Sequence, residues 1–297
     1  MDSGEEMVAD EWRRLIEEFS AAGVELFAFT GGEALMKEGC MDLLDFAAKK
    51  ASVGLLSNGR LVDEGAVRFC ADRKIRLSIS LPGLNSFPQN TGSDTSVEKI
   101  LSIFRFAHEI GCATTVGIAV TKLNLPELYE TIAAALLAGA DSLLLNRFLP
   151  GGRGLSHPEL QLSPEDVRAA ADIAERVLSR ANRRGHFGTE MPLCMIDPSK
   201  YRFLTVTTGC SAANEFFVVG PNGRIRVCNH SPVELVRWDE WECLGDCEEW
   251  MSYVHHDLLP DACVGCANAG KCLGGCREAA RVLRGSPKAP DPLFSVN

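Results

Sequence analysis

Val24-Glu25-Leu26-Phe27-Ala28-Phe29-Thr30-Gly31-Gly32-Glu33 reads as a short buried strand running into a Gly-Gly bend and a carboxylate. A helical pattern precedes it at 10–22, where Trp12, Leu15, Ile16 and Phe19 share one face. Asp10 is placed to cap this helix and Gly23 to stop it. The alternation continues downstream. Strand-like runs fall at 52–56, 75–80, 114–120 and 142–145, with helical patterns between them at about 41–50, 62–73, 94–110 and 125–138. Asn124 is expected to cap the last of these, and Pro126 sits in its first turn, where a missing N–H costs little. Strands alternating with helices predict an α/β fold with parallel strands and right-handed crossovers. The pattern yields five strands and opens on a helix, so a βα repeat is expected to have lost one β.

After Pro150-Gly151-Gly152-Arg153-Gly154 a long helix is expected at about 163–184, opened by a capping-box-like Ser163-Pro164-Glu165-Asp166. From about residue 187 the pattern changes. The runs 216–219 and 224–227 flank Pro221-Asn222-Gly223 as a β-hairpin, and a loop-rich stretch with frequent cysteines follows. This places a domain boundary near 187, with parts 1–187 and 188–297.

The 297 residues are 46% hydrophobic and 24% charged, as in a globular protein. A net charge of −10 argues against a nucleic-acid or anionic-membrane partner, which would favour a basic face. No uninterrupted apolar run reaches the roughly 18 residues of a membrane span. The opening MDSGEEMVADEW is acidic and polar, unlike a signal peptide, so a cytoplasmic location is expected.

Nine of the twelve cysteines fall between Cys194 and Cys276; Cys40, Cys70 and Cys112 are scattered through the rest. One region is therefore built around thiols. Cys210 and Cys228 flank the hairpin in the pattern C-x12-G-x4-C, with Gly223 as the glycine. Cys263-x2-Cys266-x5-Cys272-x3-Cys276 packs four thiols into fourteen residues, and Gly265, Gly270, Gly274 and Gly275 let the backbone wrap tightly. Such spacings bring thiolates onto one metal centre, and zinc and iron–sulfur both suit a four-thiolate knot. Cys243 and Cys247, in the acidic loop ECLGDCEE, read as free thiols.

Together these patterns resemble the SPASM domain of radical S-adenosylmethionine enzymes, whose pattern is C-x9–15-G-x4-C, then C-x2-C-x5-C-x3-C, then a last Cys. The resemblance covers nearly the whole chain. It implies a partial (βα)6 TIM-like barrel lacking its first strand, plus a small cysteine-rich α+β domain. It also implies [4Fe–4S] clusters, S-adenosylmethionine, a reductant such as ferredoxin or flavodoxin, and a peptide, protein or small-molecule substrate. By resemblance, Cys210, Cys228 and Cys276 ligate a first auxiliary cluster with Cys194 as the candidate fourth ligand, and Cys263, Cys266 and Cys272 ligate a second. Thr30-Gly31-Gly32-Glu33 is similar to the family's GGE motif, where backbone and carboxylate hold the methionine amino group. Ser57-Asn58-Gly59 resembles the family's TNG segment. Ser80 stands where the family's serine contacts the cofactor, and Arg147 is placed to pair with its carboxylate. All lie at the carboxyl ends of strands, the ligand-binding face of parallel α/β folds.

The chain also departs from the family. It holds no C-x3-C-x2-C triplet, the motif of the catalytic cluster, and its first cysteine, Cys40, follows the GGE segment. Met1-Asp2-Ser3-Gly4-Glu5-Glu6 looks like the acidic stretch that follows that triplet in relatives. The expectation is an N-terminally truncated radical enzyme, inactive alone, with a strand at 24–29 whose bare edge invites aggregation. The rival is a degenerate, non-catalytic scaffold, and upstream in-frame DNA would separate the two. Pro82 stands where relatives often carry Asp. Phe294 stands where the last Cys belongs, leaving the second auxiliary site to a ligand such as Asp291, to zinc, or empty.

Overall fold

The computed structural model describes residues 6–91 and 95–294. The acidic stretch at 1–5 lies outside them. Strands and helices alternate through most of the first two-thirds of the chain: α1 (Ala9–Ala21), β1 (Leu26–Phe29), α2 (Cys40–Ala48), β2 (Ser52–Ser57), α3 (Glu64–Asp72), β3 (Arg76–Ser80), α4 (Phe87–Thr91), α5 (Val97–Ile110), β4 (Thr114–Val120), α6 (Leu128–Leu137), β5 (Ser142–Arg147), α7 (Pro164–Ala181), β6 (Arg184–Phe187), then β7 (Leu204–Val206). All seven strands are parallel, in sequential order β1 to β7, and β1 forms one edge. Leu26 on that edge is 60% exposed.

The count of five strands in the βα part is corrected to seven in the parallel sheet of the described residues. Arg184-Gly185-His186-Phe187 is too polar, and Leu204-Thr205-Val206 too short, to show a strand's alternation. The sheet therefore carries on beyond residue 187, where composition changes. One continuous hydrophobic core also runs from Met7 to Leu293. Phe19 of α1 packs edge-on against Phe217, and Glu18 accepts a 2.7 Å hydrogen bond from Trp241 Nε1.

Helix ends follow local chemistry. Ser163 and Asp166 form the expected reciprocal cap of α7, with Ser163 Oγ accepting from Asp166 N at 3.2 Å and Asp166 Oδ2 from Ser163 N at 2.8 Å. Two expected caps are corrected. Val8, not Asp10, precedes α1, because Glu11 reaches back to the Val8 N–H at 3.0 Å. Asn124 instead binds the Thr121 N–H and the carbonyls of Ala119 and Pro82, so it pins the loop after β3.

The thiol-rich part comprises the two-stranded hairpin β8 (Val218–Val219) and β9 (Ile225–Arg226), then α8 (Glu248–Val254), α9 (Ala269–Cys272) and α10 (Arg277–Arg284). Gly223 turns the hairpin at φ +79°, and a Cβ there would lie 2.8 Å from Met7 Sδ. The Met7 N–H donates to Pro221 O at 2.8 Å, so the start of the described chain is clipped onto the hairpin. Among the described residues no helix is long and apolar enough to cross a membrane.

Candidate functional site at the strand ends and the thiol clusters

At the carboxyl ends of β1 and β2 the two loops meet on one carboxylate. Glu33 accepts from Ser57 Oγ at 3.0 and 2.9 Å, from the Asn58 N–H at 2.8 Å and from the Leu35 N–H at 3.3 Å. Ser57 is buried, and its Oγ also accepts the Gly59 N–H at 3.0 Å. Gly31 takes φ +146°, a conformation only glycine adopts freely. A Cβ on Gly31 or Gly32 would meet nothing within 4 Å, so this exposed Gly-Gly backbone faces open space beside a fixed carboxylate. That geometry admits an ammonium group.

Ser80 ends β3 next to β2, with its side chain exposed. The loop after it is held by Glu127, which accepts from the N–H groups of Leu84, Asn85 and Ser86 at 3.0, 2.8 and 2.9 Å. Burial raises the Glu127 carboxyl pKa, but the Ser86 hydroxyl and these amides outweigh it and hold it below the usual range.

Arg147 ends β5, but it is not free to pair with a cofactor carboxylate. It is 5% exposed, and its two terminal nitrogens bind Asp291. Nη2 also donates to Glu190 O at 3.0 Å. Burial works against its charge, and Asp291 overcomes this and raises its pKa. Asp291 is fully buried and also accepts the N–H groups of Cys276 and Leu293, each at 2.8 Å, so its part as a metal ligand is likewise corrected to a structural one.

The thiols gather below this ion pair. Cys228, Cys263, Cys272 and Cys276 are buried, Cys210 is half-buried, and Cys194 and Cys266 are exposed. Cys276 precedes α10, and its Sγ accepts the Ala279 N–H at 3.4 Å. Cys210 is pushed up to about 11 by burial and then by Glu190, and Cys228 to about 12, chiefly by burial with Cys210 adding to it. Burial lifts Cys276 well above its usual value, and Glu190 adds to that. On the other side, Cys263 is raised by burial and by its neighbours Cys272, Cys194 and Cys266, against the pull of Arg277. The Leu193 N–H donates to Cys272 Sγ at 3.3 Å. That contact brings Leu193, next to Cys194, onto the Cys272 turn.

Among the described residues no three His, Cys, Asp or Glu side chains form a ready-made metal cage. The donor chemistry nonetheless fits thiolate-bound iron or zinc: two adjoining sets of soft ligands on glycine-rich turns, each thiol to be deprotonated on binding. Cys243 is exposed, and the Cys247 thiol donates to the Cys243 carbonyl at 3.6 Å.

Two residues of this region escaped the sequence reading. Glu190, itself raised by burial, stands beside Cys210 and Cys276, and no motif marks it. Arg277 is 2% exposed and donates to the carbonyls of Leu258, Gly274, Gly275, Pro287 and Ala289. Its place directly after Cys276 was the available signal.

Residues 1–135 match the model of the Radical SAM superfamily. Over that stretch the chain is similar to radical SAM enzymes. It is 23% identical over 306 residues to a PqqA peptide cyclase from Granulibacter bethesdensis, covering 99% of this chain and 80% of that protein. It is 24% identical to an AdoMet-dependent heme synthase from Nitratidesulfovibrio vulgaris, covering 98% of this chain and 84% of the relative. Among solved structures, Streptococcus suis SuiB superposes with a TM-score of 0.74 at 16% identity, over 98% of this chain and 71% of SuiB. The anSMEcpe structure with bound AdoMet and Cp18Cys peptide gives 0.72 at 15% identity, over 97% of this chain and 86% of that one. The radical SAM fold with SPASM-type architecture is thus shared, and the similarity is to enzymes; a [4Fe–4S] cluster and S-adenosylmethionine are what that family implies.

Proposed function

We propose that this chain carries the cofactor rim and auxiliary-cluster machinery of a radical SAM/SPASM enzyme acting on a peptide or protein side chain. The observation that carries the reading is the convergence of Glu33, Ser57 and Asn58 beside the open Gly31-Gly32 backbone. When bound, a reduced [4Fe–4S] cluster and S-adenosylmethionine supply a 5′-deoxyadenosyl radical that abstracts a substrate hydrogen. The chain's own residues would hold the cofactor: Glu33 and the backbone of Gly31 and Gly32 its ammonium, Ser80 its ribose or carboxylate. Seven cysteines would hold auxiliary iron–sulfur: Cys194, Cys210, Cys228, Cys263, Cys266, Cys272 and Cys276. Peptide chemistry is supported by the relative named as a peptide cyclase and by the peptide-bound neighbour. A ferredoxin or flavodoxin would deliver electrons in the cytoplasm. The division near residue 187 is one of function, cofactor rim before it and metal-binding thiols after it.

A second reading is favoured by one observation: the sequence contains no C-x3-C-x2-C triplet. We propose that this polypeptide alone binds auxiliary clusters without cleaving S-adenosylmethionine, acting as a scaffold unless the catalytic cluster is supplied. Anaerobic reconstitution tests both. Iron and labile sulfide should bind, and dithionite with S-adenosylmethionine should yield no 5′-deoxyadenosine. Absence of bound iron removes the first reading, and robust 5′-deoxyadenosine formation removes the second.

A further inference from the structure

We infer that Cys194 is the fourth ligand of the metal site made by Cys263, Cys266 and Cys272; this rests on the reading above that these thiols bind metal. The family resemblance makes Cys194 the candidate partner of Cys210 and Cys228, and leaves the other set one ligand short because Phe294 stands where a last cysteine belongs. The fold reverses this. Leu193, the residue before Cys194, already donates its N–H to Cys272 Sγ at 3.3 Å.

Asp291 cannot fill the vacancy, since Arg147 and two backbone amides hold both its oxygens. Cys194 can. Cys263 and Cys272 are buried, while Cys194 and Cys266 are exposed at their rim. The Cys263-to-Cys266 turn is closed by a 3.1 Å Cys266 N to Cys263 O hydrogen bond. Four thiolates around one centre suit [4Fe–4S] or zinc, and carry negative charge that needs an offset. Arg277, buried directly after Cys276, supplies it, since its hydrogen bonds go to carbonyls.

The test uses the full chain, loaded anaerobically with ferrous iron and sulfide, and reads iron, labile sulfide and the electron paramagnetic resonance of the reduced protein. Variants are C194S, C194A, C263S, C210S, C194S/C263S and C194S/C210S, with circular dichroism confirming their folding. C194S and C194A should lose one cluster's iron or convert its signal to a three-iron type. C194S/C263S should lose no more than C263S, and C194S/C210S should lose both clusters. Full iron and an unchanged signal in C194S overturns the assignment while leaving the wild-type reading intact. So does a C194S/C210S content equal to that of C210S. If wild type takes zinc and no iron, zinc stoichiometry across the same variants reads the ligand set. Wild type that takes neither metal overturns the parent reading and this one together.

Discussion

Arg147 and Asp291, 144 residues apart in the chain, form a buried two-pronged ion pair, Nη1 to Oδ1 at 2.9 Å and Nη2 to Oδ2 at 2.5 Å. It joins the end of β5 to the segment that backs the cysteine turns. Asp291→Ala leaves a guanidinium uncompensated in the interior and two amides unpaired. The expected loss is about 3–5 kcal/mol, read by urea unfolding. Replacing both partners with apolar residues should cost less than the single change, and an equal or larger cost would show that the pair itself stabilises.

Gly275 makes a second prediction in the same place. Its φ is +83°, and a Cβ would fall 2.8 Å from Asp291 Oδ2. Gly275→Ala should destabilise by at least about 1–2 kcal/mol from the left-handed backbone alone. An unchanged melting temperature would contradict this.

Glu33→Ala should weaken S-adenosylmethionine binding to this chain by about tenfold or more, since a charged hydrogen bond is worth about 1.5–3 kcal/mol. Calorimetric titration reads it. Binding that matches wild type would place the ammonium elsewhere.

Glu127 gives a pH signature. Its folded pKa lies below the unfolded one, so the folded state binds the proton less readily. Its contribution is fully present above the ordinary carboxyl pKa of about 4.3 and is lost as pH falls through the lowered folded value. The stability gap between wild type and Glu127→Gln, from denaturant midpoints, should therefore shrink on acidification. A gap that widens would refute the sign.

Thiol labelling separates the cysteine classes. Burial first, with neighbouring charges, pushes Cys40 to about 11, Cys70 to about 12 and Cys112 to about 11. They should stay unlabelled by maleimide in the folded protein, whereas exposed Cys194, Cys243 and Cys266 react. Metal loading should protect Cys194 and Cys266 and leave Cys243 reactive.

The barrel-like half was legible because its first five strands are apolar runs bounded by helices with clear faces. Order alone brought Glu33 to Ser57 and Asn58, since parallel neighbours put successive loops on one rim. Arg147 was misread because its partner lies far down the chain, where no local pattern points back. The contact between Leu193 and Cys272, which bears on where Cys194 belongs, could not be read for a related reason: it exists only in the folded state. Arg277 and Glu190 carry no motif, and only their burial beside thiols marks them.

The Arg147–Asp291 clasp also sets an order of events during synthesis. The rim of β5 cannot be sealed until residue 291 has left the ribosome, well after that strand is made. Until then the guanidinium at the end of β5 lacks its carboxylate, so the strand end and the cysteine turns are joined only late in synthesis.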